Sequence, residues 1–283
     1  MIVDHRFGGE GFTQELKRGQ TLLNEAFSKI TMVPESELLF NTAHSSGSIL
    51  VLRSGWARRM RWVGEGRLYI LDLYLPGDLI GLDILTTRPD GHQVFSIIPS
   101  SYQVIPWSKL RALLSNPDVV LQLYTKRNEE LKRIEDLAFV LARGDAEQRI
   151  AAFLLNLLTR LERQNLVTQL SFRLPLTQKQ IGDHLGLTVV SVNRTLRRLR
   201  EEGVATVRAQ CVVIRDMAAL CRLAEIESKT RQPLVPDRHG GSLFRAGQGI
   251  GTIPGVAPVS AASRIVVDHS RPDCVQAPCA VKQ

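Results

Sequence analysis

Cysteine is scarce in this chain and badly placed for most of its uses. Among 283 residues there are four, Cys211, Cys221, Cys274 and Cys279. None has the spacing of a zinc pair or of a C-x-x-C redox motif, so no metal is expected at them. Cys211 and Cys221 read as small buried hydrophobes, and this usage suits a reducing compartment. Long apolar runs are also missing: nothing approaches the roughly 18 residues that a membrane span needs. The opening MIVDHRFGGE lacks the charged-then-apolar pattern of a secretion signal. A cytoplasmic protein with no membrane partner is therefore expected. No His-x-His occurs, which removes the ligand cluster that metal-dependent β-barrel catalysts of the cupin type require, and no enzyme is expected. Acid is in deficit, with 28 Asp and Glu against 36 Lys and Arg and a formal net charge of +8. Such an excess suits a polyanionic partner.

What is present divides the chain into parts, in an α+β arrangement. Its length suits two domains of ordinary size. Residues 1–28 read as a helical lead-in with loosely spaced Leu16, Leu22 and Leu23. Over 29–116 short apolar runs alternate with turn residues: SILVLRSGWARRMRW, RLYILDLYLPGDLIGL and HQVFSIIPSSYQVIPW. This texture predicts a jelly-roll-like β-roll. Asn116-Pro117-Asp118 then carries helix-start signals, and no turn residue follows until Gly144. Within 117–143, Val120, Tyr124, Arg127, Leu131, Ile134, Ala138 and Leu141 step by four and three. A helix packed on its own domain also carries an apolar stripe. A strict seven-residue repeat favours a partner helix, with Arg127 as the one polar seam residue. From Ser228 onward Pro and Gly recur without apolar period, so 228–283 is expected to form a disordered tail.

The region 144–227 carries the most specific signals. Asp145 with Gln148 has capping-box spacing and opens a helix to about Glu162. Thr177 with Gln180 repeats that spacing and opens a short helix to about Leu185. Gly186 then permits a sharp turn, Thr188 caps the next helix, and Gly203 ends it. Two helices joined by a short turn form a helix-turn-helix. On the second helix Val192, Leu196 and Leu199 form the expected buried stripe. The opposite face carries Val190, Asn193, Arg194 and Arg197. Arg can pair with guanine through two hydrogen bonds and Asn with adenine, while Val190 suits a thymine methyl. Thr188, Ser191, Arg198 and Arg200 flank that face and suit phosphates. No acid occurs between Thr188 and Arg200, whereas a merely solvated helix face mixes acids with its arginines. The segments 204–207 and 211–214 read as a hairpin wing whose tip makes Arg208 a further phosphate candidate. Double-stranded DNA is the partner these features predict.

In this order of parts the chain resembles the CRP/FNR family of bacterial transcription regulators, from about Ile30 to Glu225. The segments Thr177–Gly203 and YLPGDLIGL at 74–82 carry the likeness. The resemblance implies a cyclic-nucleotide-binding-type sensor, a homodimer built on the long helix, a palindromic operator and contact with RNA polymerase. Arg194 matches the arginine in the middle of the family's recognition helix and Asn193 the position before it. Val190 stands where a glutamate is frequent; a carboxylate accepts from cytosine N4 and valine cannot. In the sensor, Leu82 after Gly81 replaces the glutamate that cyclic AMP-binding members use for the ribose. His92, Gln93 and Val94 replace their Arg-Ser-Ala on the phosphate. Arg88 is the nearby substitute cation. Cyclic AMP is therefore not the expected effector. An iron–sulfur cluster is not expected either, since no cysteine precedes Cys211, nor is haem at His5, His44 or His92. The alternative to an effector-modulated sensor is a ligand-independent or protein-regulated DNA-binding factor whose effector site has been lost.

Overall fold

The computed structural model describes residues 10–41, 47–63, 67–85 and 92–225. The chain opens with helix α1 (Glu10–Ala26) and continues as strands β1 (Thr31–Val33), β2 (Leu38–Asn41), β3 (Ile49–Ser54), β4 (Ala57–Val63), β5 (Arg67–Tyr74), β6 (Leu79–Ile80), β7 (Gln93–Ser96) and β8 (Ser100–Ile105). Helices α2 (Trp107–Leu113), α3 (Pro117–Arg143) and α4 (Ala146–Glu162) follow. The last part holds β9 (Ser171–Arg173), α5 (Gln178–Leu185), α6 (Val189–Glu201), β10 (Ala205–Arg208), β11 (Cys211–Ile214) and α7 (Met217–Ala224). The tail 228–283, with Cys274 and Cys279, lies outside the described residues, as do His5, His44 and Arg88.

The β-roll is two antiparallel four-stranded sheets, in orders β1-β8-β3-β6 and β2-β7-β4-β5. Between them pack Phe40, Leu50, Leu52, Tyr74, Ile80 and Val94, all buried. The extra residue Leu71 bulges β5, whose Asp72 and Ile70 stand opposite the consecutive residues Arg59 and Met60 of β4. Both residues are buried. Met60 joins Trp56, Ile70, Leu73 and Leu75 in one apolar cluster with Ile150, Phe153, Leu154 and Leu157 of α4. Arg59 instead meets α3, where its Nη1 lies 3.0 Å from Glu130 Oε1.

Helix α3 has the bounds its sequence predicts. Asn116 caps it by accepting from the backbone N–H groups of Asp118 and Val119, and Pro117 takes the position whose N–H would have no helical partner. Its two faces differ. Val119, Gln122, Leu123 and Glu130 are buried against α1 and the roll. Val120, Tyr124, Leu131 and Ala138 are exposed, while Arg127, Ile134 and Leu141 are half-buried. The heptad stripe thus points away from the chain's own core. Its polar member, Arg127, reaches Glu130 Oε2 at 2.6 Å. Glu130 Oε1 also accepts from the Tyr74 hydroxyl at 3.3 Å. A single buried carboxylate so joins the roll to the helix, with two guanidiniums compensating its desolvation.

The lead-in is more than its loose leucine spacing indicates. Leu23 and Phe27 are buried in a cluster with Val119 and Leu123, Arg18 pairs with Asp118 at 2.7 Å, and Gln122 donates to Gln20 at 2.7 Å. α1 is an integral layer on α3.

Helix α4 buries Ile150, Ala151, Phe153, Leu154, Leu157, Leu158 and Leu161. Each large side chain among them stabilises by roughly 1.5–3 kcal/mol relative to exposure. Around α4 sit α5, α6, α7 and a three-stranded sheet of order β10-β11-β9. On the side toward the roll, His184 of α5 is buried with its Nδ1 3.3 Å from the Ile70 carbonyl, which fixes Nδ1–H as the donor. Its ring lies 5.6 Å from that of Phe153. Burial holds this imidazole below the ordinary histidine range, opposed by the Asp72 carboxylate and the Ile70 hydrogen bond, with the Arg160 cation reinforcing the shift.

A pH dependence of stability follows. The unfolded chain takes up a proton on His184 near pH 6.5, whereas the folded chain resists it until lower pH. The contribution of neutral His184 is fully present above about pH 6.5 and shrinks as pH falls below it. Chemical denaturation between pH 7.5 and 5.5 is expected to show falling stability, and His184→Gln is expected to flatten that slope. An unchanged slope in the variant would remove His184 as its source.

Candidate nucleic-acid interface

Helices α5 and α6 are set by the local signals that predict them. Thr177 and Gln180 form a full capping box. Gly186 adopts φ +63°, ψ 37°, the left-handed region that a Cβ would strain. Thr188 caps α6 by accepting from the Ser191 N–H at 3.1 Å. Gly182 supports the crossing: a Cβ there would lie 2.4 Å from the Leu187 carbonyl oxygen. The backbone of α5 therefore packs directly on the turn that leads into α6, with Val192 of α6 next to it, and α6 turns its other face to solvent.

The buried residues of α6 are Val192, Thr195 and Leu199. Leu196 is only half-buried, so the stripe is rotated slightly from the expected Val192, Leu196 and Leu199. Thr195 escapes an apolar pattern because its hydroxyl does not register there. The opposite face survives this rotation. Val190 is 77% exposed, and Thr188, Asn193, Arg194, Arg197, Arg198, Arg200 and Arg208 are all exposed, with Ser191 half-buried.

The arginines are not equivalent. Arg198 lies 2.9 Å from Glu147 of α4 and 2.7 Å from Glu202. Arg197 lies 3.6 Å from Glu201. Among the described residues, Arg194, Arg200 and Arg208 have no carboxylate partner. The sequence shows the acid-free run between Thr188 and Arg200, but Glu147 is distant in the chain and its approach to Arg198 is a tertiary event. Burial raises the Glu147 carboxyl above its usual range, with Arg198 acting against that shift. Among the described residues the exposed arginines of α6 thus carry a positive charge that no carboxylate pairs at Arg194 and Arg200 and that is offset at Arg197 and Arg198.

The wing is β10 and β11, paired from Ala205–Ile214 to Arg208–Cys211. Arg208 ends its strand, and the tip is Ala209-Gln210, both at positive φ. The sequence pattern ends the first strand one residue early. It also misses β9, whose Arg173 donates to Gln210 at 3.3 Å and so braces the tip.

The residues expected to line an effector pocket are differently placed. Leu82 and Val94 are buried, Val94 within the apolar cluster of the roll. Gly81 lies against the Phe40 ring. His92 is 1% exposed, with Nε2 3.7 Å from Asp83 Oδ2. Gln93 accepts from Trp62 Nε1 at 3.3 Å. Positions that would hold a sugar and a phosphate here join or border an apolar core.

Residues 148–223 match the family model of the Crp-like helix-turn-helix domain. The chain is 30% identical over 204 residues to the anaerobic regulatory protein of Haemophilus influenzae, covering 72% of this chain and 79% of that one. It is 29% identical over 203 residues to the transcriptional activator protein anr of Pseudomonas aeruginosa, covering 71% and 83%. Among solved structures it is similar to FixK2 from Bradyrhizobium japonicum, with 27% identity and a TM-score of 0.62 over 70% of this chain and 97% of that one. A β-roll, a long helix, a winged helix-turn-helix and relatives of this extent together place the chain in the CRP/FNR family of DNA-binding transcription regulators.

Proposed function

We propose that the chain binds a palindromic operator as a homodimer, with α6 of each protomer in the major groove. The exposed face of Val190, Asn193 and Arg194 carries this reading, because it combines base-reading chemistry with a cation that no acid among the described residues neutralises. Arg194 reads a guanine, Asn193 an adenine, and Val190 contacts a thymine methyl. Arg197 lies farther along the same face and reaches bases only by releasing Glu201. Arg200, Arg208, Thr188 and Ser191 hold phosphates, whose contacts fix the register of the helix. Arg198 serves chiefly to tie α6 to α4. The long helix supplies the dimer seam, RNA polymerase is the partner at the promoter, and the protein works in the cytoplasm. The domains run 1–28, 29–116, 117–143 and 144–227, followed by 228–283.

On the first reading the β-roll modulates DNA binding through a signal other than cyclic AMP. The burial of Leu82 and Val94 and the packing of Gly81 favour the second reading for this part alone: regulation by a protein partner, or none, with the effector site lost.

Selection of bound duplexes from a random pool by the full chain tests the proposal. Recovered sequences are expected to show two inverted half-sites about one helical turn, roughly 10 base pairs, apart, each with an invariant guanine. Recovery of single-stranded or unrelated sequences would overturn it.

A further inference from the structure

Asn193 is not held by α6 alone. Its Nδ2 donates to Gln178 Oε1 at 3.3 Å, across the two helices of the helix-turn-helix. Gln178 is the first residue of α5, directly after the Thr177 cap. It lies four residues before Gly182, so the two share one face of α5. That face is the one drawn onto α6: a Cβ at Gly182 would lie 3.7 Å from Val192 Cγ2 as well as against Leu187. The close crossing thus brings the Gln178 amide beside the residue that follows Val192. Gln178 itself is only half-buried, and its bond to Asn193 engages the amide oxygen and not the amide nitrogen.

We propose that Gln178 is a positioning residue that couples a backbone phosphate to adenine readout by Asn193; this rests on α6 being the base-reading helix. Donors and acceptors decide the polarity. A primary amide has two N–H donors and one carbonyl acceptor. With one Asn193 N–H given to Gln178, its other N–H and its carbonyl oxygen remain. Those are the donor and acceptor that adenine N7 and N6 require. A flipped Asn193 amide would set two carbonyl oxygens against each other. What fixes the Gln178 amide in turn is DNA itself. A phosphate oxygen can only accept, so it takes the Gln178 Nε2–H and leaves Oε1 for Asn193. The chain phosphate, Gln178, Asn193, adenine then has one polarity throughout. A guanine in place of adenine presents O6, an acceptor, against the Asn193 carbonyl, and is rejected.

Two substitutions separate the halves of this relay in the full chain. Gln178→Lys keeps a donor for the phosphate but removes the acceptor for Asn193. Gln178→Glu keeps the acceptor but sets a carboxylate against the phosphate. Binding is titrated by fluorescence anisotropy on the selected operator and on duplexes with each half-site position replaced in turn. The adenine position is the one at which Asn193→Ala loses its base preference. Gln178→Lys is expected to lower the preference for adenine over guanine about tenfold relative to the parent. Gln178→Glu is expected to bind every duplex at least tenfold more weakly with the adenine preference kept. An unchanged adenine preference in Gln178→Lys overturns the coupling, as does an Asn193→Ala variant that changes preference nowhere. If the parent chain itself showed no selective duplex, the reading of α6 would fail instead, a result distinct from the first two. Unchanged melting temperatures in both variants exclude a loss of fold at this surface position.

Discussion

Arg194→Ala is expected to weaken operator binding by roughly 1–3 kcal/mol per half-site, and so by about 2–6 kcal/mol across both. It should also erase preference at a single base pair of each half. Both consequences follow from where Arg194 sits. It is exposed on the face of α6 away from Val192, Thr195 and Leu199, and in the N-terminal half of the helix, which enters the groove first. It has no carboxylate partner among the described residues, so its planar fork is available for the two acceptors of guanine without breaking an existing pair. Arg200→Ala should behave differently, weakening all sequences about equally and making the salt slope shallower by about one unit for each phosphate it no longer neutralises. Arg198→Ala should change that slope little, because Glu147 and Glu202 already offset its charge. Titrations on the operator and its single-base variants at two salt concentrations distinguish the three. If Arg194→Ala lowered affinity for every variant equally, Arg194 would be a phosphate ligand and the reading face would lie elsewhere on α6.

Those contrasts also mark how far the sequence is legible. Local chemistry is readable almost to the residue. The Asn116-Pro117 start of α3, the capping boxes at Asp145 and Thr177, and the turn at Gly186 each involve groups within a few positions of one another. Their physics is complete in a short window. The heptad of α3 is readable for the same reason, and the exposure of Val120, Tyr124 and Leu131 agrees with it. What escapes depends on distant partners. β9 is three residues long, too short for period, and exists because Phe172 pairs with Val212. Helix α1 gains its place from Asp118 and Gln122 across the chain. The pairing of Arg198 with Glu147 needs the crossing of α4 and α6, and the bond from Asn193 to Gln178 needs that of α5 and α6. Arg127 illustrates both sides. The sequence marks it as the polar member of an apolar stripe, but its reason is Glu130 and, through it, Arg59 and Tyr74 of the roll.

That exposed stripe gives the other large effect. Replacing Leu131 and Ile134 together with Glu is expected to convert the dimer to monomer at micromolar protein. Leu131 is 46% exposed in the single chain and Ile134 is half-buried, so neither substitution buries a charge in the chain's own core. In a paired seam each Glu would face its copy across an apolar contact, where like charges repel and neither finds water. The variant should therefore fold with a near-native melting profile yet sediment as a monomer. DNA binding then falls for a reason separate from the recognition helix. Two linked α6 helices engage a palindrome with the second contact made intramolecular, and breaking that linkage costs about 10²–10⁴-fold in apparent affinity. A single half-site duplex provides the control, since its affinity should be nearly the same for parent and variant. Sedimentation that still finds a dimer would move the interface off this stripe. Loss of half-site binding would instead mean that the substitutions disturb α6.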